Sequence, residues 1–372
     1  MIEFTVQSRC STTAARTGVL QTPHGAIETP AFMPVGTYGS VKGLRAEELE
    51  GIGAQVVLSN AYHLWERPGL DVMRAVGGLH AFMGWERPIL TDSGGYQVMS
   101  LADRRSIDDD GVTFRSPLDG EHRRLTPEAV IDIQATLGVD LAMVLDECVA
   151  SPAEYKVAAA AVERSHRWAE RSRPLASQLA GGLLGIVQGS VFPELRGDHA
   201  RRLVELDFDG YAIGGLAVGE AKEQTWEAVE AAIPELPEDR VRYVMGMGYP
   251  NDLVEAVARG VDLFDCVIPT RHARNGVAFT RTGTIIIRHA RYKDDPEPLD
   301  PACGCPTCAR YCRAYLRHLK LRGEMLAGVL MTLHNLWHYL DTMGRIRHAI
   351  ASGAFAELRA DSARAGAPSG QE

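Results

Sequence analysis

The amino-acid sequence predicts an α/β fold: an irregular (β/α)8 TIM barrel preceded by an antiparallel hairpin and followed by a smaller C-terminal subdomain. Between about residues 31 and 268, short apolar runs alternate with amphipathic, helix-like segments, a pattern typical of a parallel sheet covered by helices. There are eight such runs, the strand number of this barrel. A doubly wound open sheet is the alternative, because periodicity alone does not show that a sheet closes.

Each apolar run has the length of a buried strand. The runs are AFMPVG (31–36), AQVVLS (54–59), PILTD (88–92), LAMVLD (141–146), LLGIVQ (183–188), GYAIGG (210–215), RYVMGM (242–247) and LFDCVIP (263–269). Helix-like segments between them occupy 154–173, 193–208, 225–236 and 250–260. The spacings from 59 to 88 and from 92 to 141 are long for simple crossovers, so we expect insertions there.

The two ends of the chain lie outside this alternation. Thr and Gly punctuate the first thirty residues and predict the antiparallel hairpin, and VAFTRTGTIIIR (277–288) predicts a second one. A helical pattern follows over roughly 309–353, and the small, polar residues 360–372 predict a disordered tail. The predicted domains are the barrel with its hairpin (1–275), a subdomain packed on the barrel (276–345), and a terminal helix with a flexible tail (346–372).

Composition limits the class of protein. The 372 residues are 45% hydrophobic and 23% charged, as in ordinary folded domains, and the net charge of −9 excludes a wholly basic nucleic-acid coat. The seven cysteines are odd in number and four lie within ten residues, unlike a secreted disulfide scaffold. We see no secretory signal and no apolar stretch long enough to span a membrane, and therefore expect a cytoplasmic protein.

One stretch reverses the overall charge. Residues 271–322 hold eleven Lys or Arg and four acidic residues, within a chain whose net charge is negative. A solvated helix face is one explanation of such a run. A face that binds a polyanion is the other, and the position of the stretch, directly after a predicted strand, keeps it open.

Three thiols within six residues predict a metal site: Cys303, Cys305 and Cys308. Thiolates suit tetrahedral zinc, and a saturated shell of four protein ligands is structural because no position remains for substrate. The fourth ligand is Cys312 or a histidine of the following helix, where His334 and His338 lie one turn apart and spacing does not choose between them. The alternative is a cluster of free, buried cysteines. With zinc, the sequence predicts an inserted C-terminal zinc-binding subdomain.

Acidic side chains stand at the ends of three apolar runs. Asp92 and Asp146 end their runs, and Asp265 lies inside the last one. One such Asp is usually a helix cap or a turn residue. Three on different strands of a barrel, whose catalytic groups sit at the carboxyl ends of strands, indicate a site. Paired carboxylates with a third, recognising acid fit glycosyl chemistry, in which one attacks an anomeric carbon and another transfers protons.

The chain resembles the tRNA-guanine transglycosylases, also called queuine tRNA-ribosyltransferases. The motifs that carry the resemblance are TDSGGYQV (91–98), LDEC (145–148), VQGS (187–190), GGLAVGE (214–220), YVMGMG (243–248), FDCVIPTRHARNG (264–276) and CGCPTC (303–308). They occur in family order and cover effectively the whole chain. The family exchanges the wobble guanine of tRNAs with a GUN anticodon, those for Asp, Asn, His and Tyr, for a 7-deazaguanine base.

The resemblance implies a role for each acid. Asp265 matches the nucleophile, which attacks ribose C1′ and forms a covalent enzyme–RNA ester. Asp92 matches the general acid/base that assists departure of guanine and accepts the proton of the incoming base. Asp146 would bind the N–H edge of the base.

The other implied contacts follow the same motifs. Gln188 through its side chain and Gly215 through its N–H would contact the exocyclic oxygen, and Tyr96 and Met245 would sandwich the base. Further substrate-binding positions are Ser93, Gly94, Gly95 and Leu216. The implied RNA-binding residues are Gly246, Met247, Gly248, Tyr249, Pro250, Asn251, Asp252, Thr270, Arg271, His272, Ala273 and Arg274. The implied ligands of one structural Zn2+ are Cys303, Cys305, Cys308 and His334, which favours His334 over His338 and Cys312.

Two residues point to the bacterial branch. Cys148 follows Asp146-Glu147 and Val218 follows GGLA, as in members that use 7-aminomethyl-7-deazaguanine, whereas eukaryotic members carry a smaller residue near the second position. The family commonly works as a homodimer. The alternative functions are a catalytically silent tRNA-binding partner subunit, against which the retained acids argue, and an unrelated zinc-bearing nucleoside hydrolase, which needs an open metal site.

Overall fold

A computed structural model describes residues 2–100 and 105–366. The strands are β1 (Glu3–Arg9), β2 (Arg16–Thr22), β3 (Gly25–Thr29), β4 (Ala31–Pro34), β5 (Val57–Asn60), β6 (Ile89–Asp92), β7 (Arg105–Asp108), β8 (Gly111–Arg115), β9 (His122–Leu125), β10 (Leu141–Met143), β11 (Gly182–Val187), β12 (Gly210–Ile213), β13 (Val241–Val244), β14 (Leu263–Cys266), β15 (Val277–Thr280) and β16 (Gly283–Ile286).

The helices are α1 (Ala46–Gly51), α2 (Ala61–Glu66), α3 (Leu70–Val76), α4 (Leu79–Met83), α5 (Gly95–Met99), α6 (Pro127–Leu137), α7 (Tyr155–Ser172), α8 (Pro193–Glu205), α9 (Lys222–Ala232), α10 (Pro250–Ala258), α11 (Ile268–Arg274), α12 (Arg313–Arg322), α13 (Met325–Ala351) and α14 (Phe355–Gly366). Within the described residues, no helix combines the length and apolarity needed to cross a membrane.

The central sheet is a closed parallel barrel. Its eight strands pair in the order β4-β14-β13-β12-β11-β10-β6-β5, which is chain order around a ring. A parallel bridge between Val35 and Leu58 joins the first strand to the last, and the Gly36 N–H donates to the Leu58 carbonyl at 2.6 Å. Each predicted apolar run supplies one strand. The barrel is therefore confirmed, and the open doubly wound sheet is excluded.

Both predicted insertions are present. The first one, after β5, holds the short helices α2, α3 and α4. The second, after β6, holds α5, the antiparallel sheet β7-β8-β9 and helix α6. These additions make the barrel irregular and place extra chain at the carboxyl ends of β5 and β6, where the site lies.

The N-terminal hairpin is a three-stranded antiparallel sheet, because β3 adds to β1 and β2. Buried Arg16 attaches this sheet to the barrel through a bidentate pair with buried Asp262, with N–O distances of 2.9 and 2.6 Å. An Arg–carboxylate fork of this kind combines charge with fixed geometry. It holds the sheet against the region where β14 begins.

In the C-terminal part, the predicted hairpin over 277–288 is confirmed as β15-β16. The helical segments that follow differ from their prediction in two places. The helical pattern is broken at Gly323, whose φ of 74° ends α12 before α13 begins, and α13 runs on through residue 345. The prediction of disorder from residue 360 is wrong as far as 366, because α14 extends to Gly366. Residues 367–372 lie outside the described residues.

Tertiary contacts explain that last helix. The Phe355 side chain is fully buried, and Arg359 makes a bidentate pair with Glu255 of α10 at 2.8 and 2.7 Å. Burial of an aromatic side chain stabilises by about 2–3 kcal/mol, enough to order a short segment of weak intrinsic preference.

Candidate active site

Three acidic side chains converge at one end of the barrel. Asp92 is the last residue of β6, Asp146 follows β10, and Asp265 is the third residue of β14. Because all barrel strands are parallel, these positions lie at the same carboxyl-terminal rim. Asp92 and Asp146 are buried and Asp265 is partly exposed. The closed parallel barrel therefore brings the three acidic side chains to one rim, as the sequence predicts.

The Asp265 carboxylate is fixed through a single oxygen. Its Oδ1 accepts hydrogen bonds from the Tyr243 hydroxyl at 2.5 Å and from the Gly246 N–H at 2.8 Å. Among the described residues, no donor reaches Oδ2. Burial raises the pKa of Asp265, and the two hydrogen bonds oppose that rise. The arrangement orients the carboxylate and leaves one oxygen for an electrophile.

Asp92 is held more completely. Its Oδ1 accepts from the Ala61 N–H at 3.0 Å, and its Oδ2 accepts from the Gln97 side chain at 2.9 Å and from the Asn60 side chain. Burial raises the pKa of Asp92 to about 6, with a further contribution from the negative charge of Asp265. A carboxyl that titrates near neutrality is suited to take up and release protons.

Asp146 faces polar groups from two neighbouring segments. Its Oδ1 accepts from the Ser93 hydroxyl at 3.3 Å, and its Oδ2 accepts from the Gln188 side-chain amide at 2.5 Å. Burial raises the pKa of Asp146 to about 6, and the charge of Glu147 adds to the rise. Desolvation makes this acceptor costly without a donor, so a ligand carrying N–H groups fits here.

The glycines of the DSGG run allow two backbone segments to meet. Gly94 has a φ of 79°, and a Cβ there would lie 2.8 Å from the Tyr62 Cβ. A Cβ on Gly95 would lie 2.8 Å from the carbonyl oxygen of Asp146. Any larger residue would push α5 away from the end of β10. The two glycines thus set the depth of the cleft.

Gly215 is equally constrained. Its φ is +65°, and a Cβ would lie 2.4 Å from Oε1 of Gln188. That Oε1 is buried and has no hydrogen-bond partner among the described residues. This acceptor therefore has capacity for one further hydrogen bond, from a ligand or a water molecule.

A buried cation fixes the same pocket from behind. The Arg196 side chain is fully buried, and it donates to the carbonyls of Val187, Ser190, Gly214 and Gly215 at 2.6–3.3 Å. Burial lowers the pKa of Arg196 to about 10. One guanidinium therefore ties the turn after β11 to the turn after β12, and so holds Gln188 against Gly215.

The two predicted sandwich residues differ in exposure. Tyr96 is 57% exposed at the start of α5, whereas Met245 is half-buried after β13. The Met245 sulfur lies 3.4 Å from the position of a Cβ on Gly214, so the thioether covers that glycine. Leu216 is buried. Tyr96 is accessible to a ligand, and Met245 packs over Gly214.

The predicted RNA-binding residues fall into three classes. Exposed residues are Gly246, Tyr249, Arg271 and Arg274. Partly buried residues are Pro250, Asn251, Asp252 and His272. Buried residues are Met247, Gly248, Thr270 and Ala273. The Tyr249 and His272 rings meet at 6.1 Å in a T-shaped contact that joins the two segments. The buried members support this surface, and the exposed ones form it.

The candidate metal centre lies where α13 crosses the cysteine loop. The Sγ atoms of Cys303, Cys305 and Cys308 lie 3.6, 3.6 and 3.3 Å from Nδ1 of His334. All four ligand atoms are within 4.8 Å of one another. The His334 Nε2–H donates to the Phe279 carbonyl at 2.8 Å, which directs Nδ1 toward the thiols. The four groups could hold a tetrahedral metal ion.

The geometry also decides between the alternative ligands. His338 is buried one turn further along α13, and Cys312 caps the start of α12, so neither belongs to the cluster. The cluster leaves no side for a substrate, since all four positions of a tetrahedron come from the protein. The same helix donates a hydrogen bond from the Tyr339 hydroxyl to the Gly248 carbonyl at 2.5 Å. Helix α13, which carries His334, therefore also holds the rim loop that follows β13.

Sequence reasoning missed several groups in this site. Tyr243, Asn60 and Gln97 each hold one of the acidic side chains, and Arg196 ties together the turns after β11 and β12. Asn60 carried a usable signal, since it is a polar residue directly after the apolar run 54–59. Arg196 carried none, because an arginine in an amphipathic helix is normally solvated.

Comparison with known proteins identifies the family of the chain. The sequence model of the family described as queuine tRNA-ribosyltransferase matches residues 10–367. A queuine tRNA-ribosyltransferase of Desulforudis audaxviator is 53% identical over 359 residues, covering 96% of both chains. A relative with the same name from Moorella thermoacetica is 52% identical over 360 residues, covering 97% of this chain and 96% of its own. A third relative of that name, from Xanthomonas campestris, is 54% identical over 348 residues, covering 93% of this chain and 91% of its own.

Proposed function

The chain belongs to the queuine tRNA-ribosyltransferase family, and on that basis we propose that it is a tRNA-guanine transglycosylase, a pentosyltransferase, acting by double displacement at the wobble nucleotide. The observation that carries the mechanism is the carboxylate of Asp265, held by Tyr243 and Gly246 through one oxygen with the other left open. A carboxylate that is oriented but not saturated is suited to attack a sugar carbon.

In the first step, Oδ2 of Asp265 attacks ribose C1′ as the C1′–N9 bond of guanine breaks. The electron pair of that bond leaves with guanine, which takes a proton from Asp92. In the second step, the incoming base loses its N9 proton to Asp92 and attacks C1′, and the ester bond to Asp265 breaks. Two inversions at C1′ give overall retention. The pKa of Asp92, raised to about 6 by burial, suits both proton transfers.

The base pocket determines the substrate class. The Asp146 carboxylate would accept from the N–H edge of a purine-like base, and the Gln188 amide and the Gly215 N–H would bind its exocyclic oxygen. Gln188 already donates to Asp146, so the two side chains present one donor–acceptor array. Tyr96 would close over the base. We infer that the incoming base is 7-aminomethyl-7-deazaguanine, because Val218 follows GGLA where the members that take queuine carry a smaller residue.

The polynucleotide needs a separate surface, because the acidic pocket repels phosphate. Exposed Arg271 and Arg274 on α11 follow the nucleophile within one strand–helix connection and would contact phosphates beside the reacting nucleotide. The substrate we infer is a tRNA with a GUN anticodon, whose loop can present a splayed base. We also propose that the protein works in the cytoplasm and as a homodimer, as the family commonly does.

The metal we propose for the Cys3His cluster is one structural zinc ion. Bound there, it would supply folding energy and no reaction chemistry, because its four ligands are protein side chains. The residues fit the ion: three thiols surround Nδ1 of a histidine whose other nitrogen is held by a carbonyl. Its function would be to fix α13, and with it the loop that carries Gly248.

A silent tRNA-binding subunit is the competing function. Base exchange distinguishes the two. The purified protein is incubated with a GUN-anticodon tRNA transcript and labelled guanine, then chased with 7-aminomethyl-7-deazaguanine. Label confined to the wobble position and lost in the chase supports the proposal. A zinc-replete protein that binds the tRNA and incorporates no label would be a silent subunit. Queuine in a parallel chase tests the choice of incoming base.

A further inference from the structure

A second cluster of metal-binding side chains lies at the opposite end of the barrel. It contains His24 in the turn between β2 and β3, His80 in α4, and Asp140 directly before β10. Their ligand atoms lie within 4.8 Å of one another. The amino ends of barrel strands contribute to stability rather than to catalysis, so the cluster is separate from the acidic site.

Asp140 is the centre of this cluster. Its carboxylate is fully buried, and it accepts hydrogen bonds from the backbone N–H groups of His24 at 3.0 Å and of Ile89 at 2.9 Å. The ring Nδ1 of His24 lies 2.9 Å from Oδ1, and the ring Nε2 of His80 lies 3.2 Å from Oδ2. Each histidine therefore faces a different oxygen of one carboxylate.

The hydrogen bonding of His80 leaves one buried ring nitrogen facing the Asp140 carboxylate without a hydrogen-bond partner in the described part of the chain. Its Nδ1 lies 2.9 Å from the carbonyl of Trp85, which can only accept, so Nδ1 carries the hydrogen. In the neutral ring, Nε2 then presents a lone pair. That atom is buried and has no hydrogen-bond partner among the described residues, yet it faces the Asp140 carboxylate. Two acceptors at this separation repel unless a cation lies between them.

We propose that His24, His80 and Asp140 form a second metal site, which takes a divalent cation of the zinc class, such as Zn2+, Co2+ or Ni2+. Two imidazoles with one carboxylate suit these ions. The backbone carbonyl that fixes the tautomer of His80 is the usual outer partner of a metal-binding histidine.

The geometry needs only a small adjustment. Ligand atoms about 2.0–2.2 Å from a tetrahedral ion stand roughly 3.3–3.5 Å apart, slightly more than the separations from Asp140. His24 can supply the movement, because its side chain is 37% exposed, whereas that of His80 is 15% exposed. The rings stack at 3.6 Å between centroids, so their two nitrogens face the Asp140 carboxylate side by side. The exposed side of His24 leaves one position for water.

The bound ion would join three separate parts of the chain. It would connect the β2–β3 turn, the helix inserted after β5 and the start of β10, none of which are neighbours in sequence. Three protein ligands at the barrel base would thus stabilise the fold through metal binding to the native state alone. The competing explanation is a proton on His80, which would make the cluster an ordinary ion pair.

Metal titration of the full-length protein tests the proposal. The protein is dialysed against a weak chelator, its tightly bound zinc is counted by mass spectrometry, and Co2+ is added in steps. We expect one further equivalent per chain, with visible ligand-field bands and without the near-ultraviolet charge-transfer band of thiolate ligands. The melting temperature should rise with occupancy. A wild-type protein that takes up no further equivalent would support the proton instead and overturn the proposal.

Variants assign the further equivalent. His24→Ala should weaken Co2+ binding at least about 10-fold and remove the metal-dependent rise in melting temperature. It should fold, because the turn keeps the His24 N–H bond to Asp140. His289→Ala, at an exposed histidine elsewhere, is the matched control and should bind as the wild type does. His80→Gln is the second test. Unchanged Co2+ affinity in His24→Ala would overturn the proposal even if His80→Gln failed to fold.

Discussion

The Tyr243 hydroxyl lies 2.5 Å from Oδ1 of Asp265, so a side chain of β13 holds the candidate nucleophile of β14. Burial and the nearby carboxylate raise the pKa of Tyr243 well above its ordinary value, which keeps the phenol protonated and donating. The Gly246 N–H completes the clamp on the same oxygen. The orientation of Asp265 therefore depends on a side chain of the adjacent strand.

Removing this hydroxyl should slow the reaction without unfolding the protein. A hydrogen bond to a charged group contributes about 1.5–3 kcal/mol, so Tyr243→Phe should lower kcat by roughly 10- to 100-fold. The hydrogen bond lowers the pKa of Asp265, so its loss should also move the acidic limb of the pH profile to higher pH.

The control for that variant is Tyr211→Phe, which removes another buried tyrosine hydroxyl, in the adjacent strand β12. It should retain wild-type base exchange. Equal kcat values for Tyr243→Phe and wild type, measured in steady-state exchange at saturating base, would show that Asp265 needs no such partner.

The acidic carboxyls also predict a pH dependence of activity. Burial raises the pKa of Asp92 to about 6 and that of Asp146 to about 6. Asp92 must be protonated to release guanine, whereas Asp146 must be ionised to bind the N–H edge of the base. The value of kcat/KM for the tRNA should therefore fall on both sides of a maximum at about pH 6. A rate that stays flat down to pH ~4.5 would contradict these assignments.

The same pKa shifts also make the stability of the folded state depend on pH. A carboxyl group whose pKa is higher in the folded than in the unfolded protein stabilises the folded state when it is protonated. This stabilisation is complete below the ordinary pKa of the group and is lost as the pH rises through about 6. On the order of 2–3 kcal/mol is lost for Asp146 by neutral pH. Asp146→Asn should therefore flatten the dependence of unfolding free energy on pH between about 4 and 7. An unchanged pH slope in denaturant titrations would sink this account.

Loss of one thiol should remove the structural metal. Cys305→Ser should lower zinc content by about one equivalent per chain and the melting temperature by roughly 10 °C. Cys312→Ser is the matched control, because that thiol lies outside the cluster and should leave both quantities unchanged. Zinc analysis and calorimetry measure the two effects. Full zinc content in Cys305→Ser would place the metal elsewhere.

Val218 should set the size of the accepted base. It is half-buried, and its N–H donates to the Glu220 carboxylate at 3.0 Å, which holds the backbone of this loop. Val218→Gly should raise the use of queuine relative to the aminomethyl base by about 10-fold, while guanine exchange stays within a few-fold. Competition assays with both bases measure the ratio, and an unchanged ratio would remove Val218 from the specificity account.

Much of the barrel could be predicted because each strand is specified by a short segment of consecutive residues. A buried parallel strand is a short apolar run wherever it occurs, and an acid at the end of such a run must face a rim. Asp92, Asp146 and Asp265 were identifiable on these grounds before any contact was known. The three cysteines of the metal site could also be recognised from their close spacing. The choice of His334 as the fourth ligand came from the family resemblance and is supported by the fold.

Other features depend on which segments become neighbours. Tyr243 bonds to Asp265 across 22 positions, and Asn60 bonds to Asp92 across 32, so only the register of adjacent strands brings them together. The helix over Phe355–Gly366 was missed because its small, polar sequence gives little local preference, whereas burial of Phe355 and pairing of Arg359 decide its structure. Tertiary contacts overrode composition there.

The covalent intermediate is the central claim, and capture of it is the most direct test. The protein would be mixed with a GUN-anticodon tRNA without incoming base, quenched in denaturant and resolved on a denaturing gel. The account predicts a protein–RNA adduct at the wobble ribose that disappears in Asp265→Asn, while this variant still binds the tRNA. An adduct that persists in Asp265→Asn, or base exchange by that variant at the wild-type rate, would contradict the assignment of Asp265 as the nucleophile.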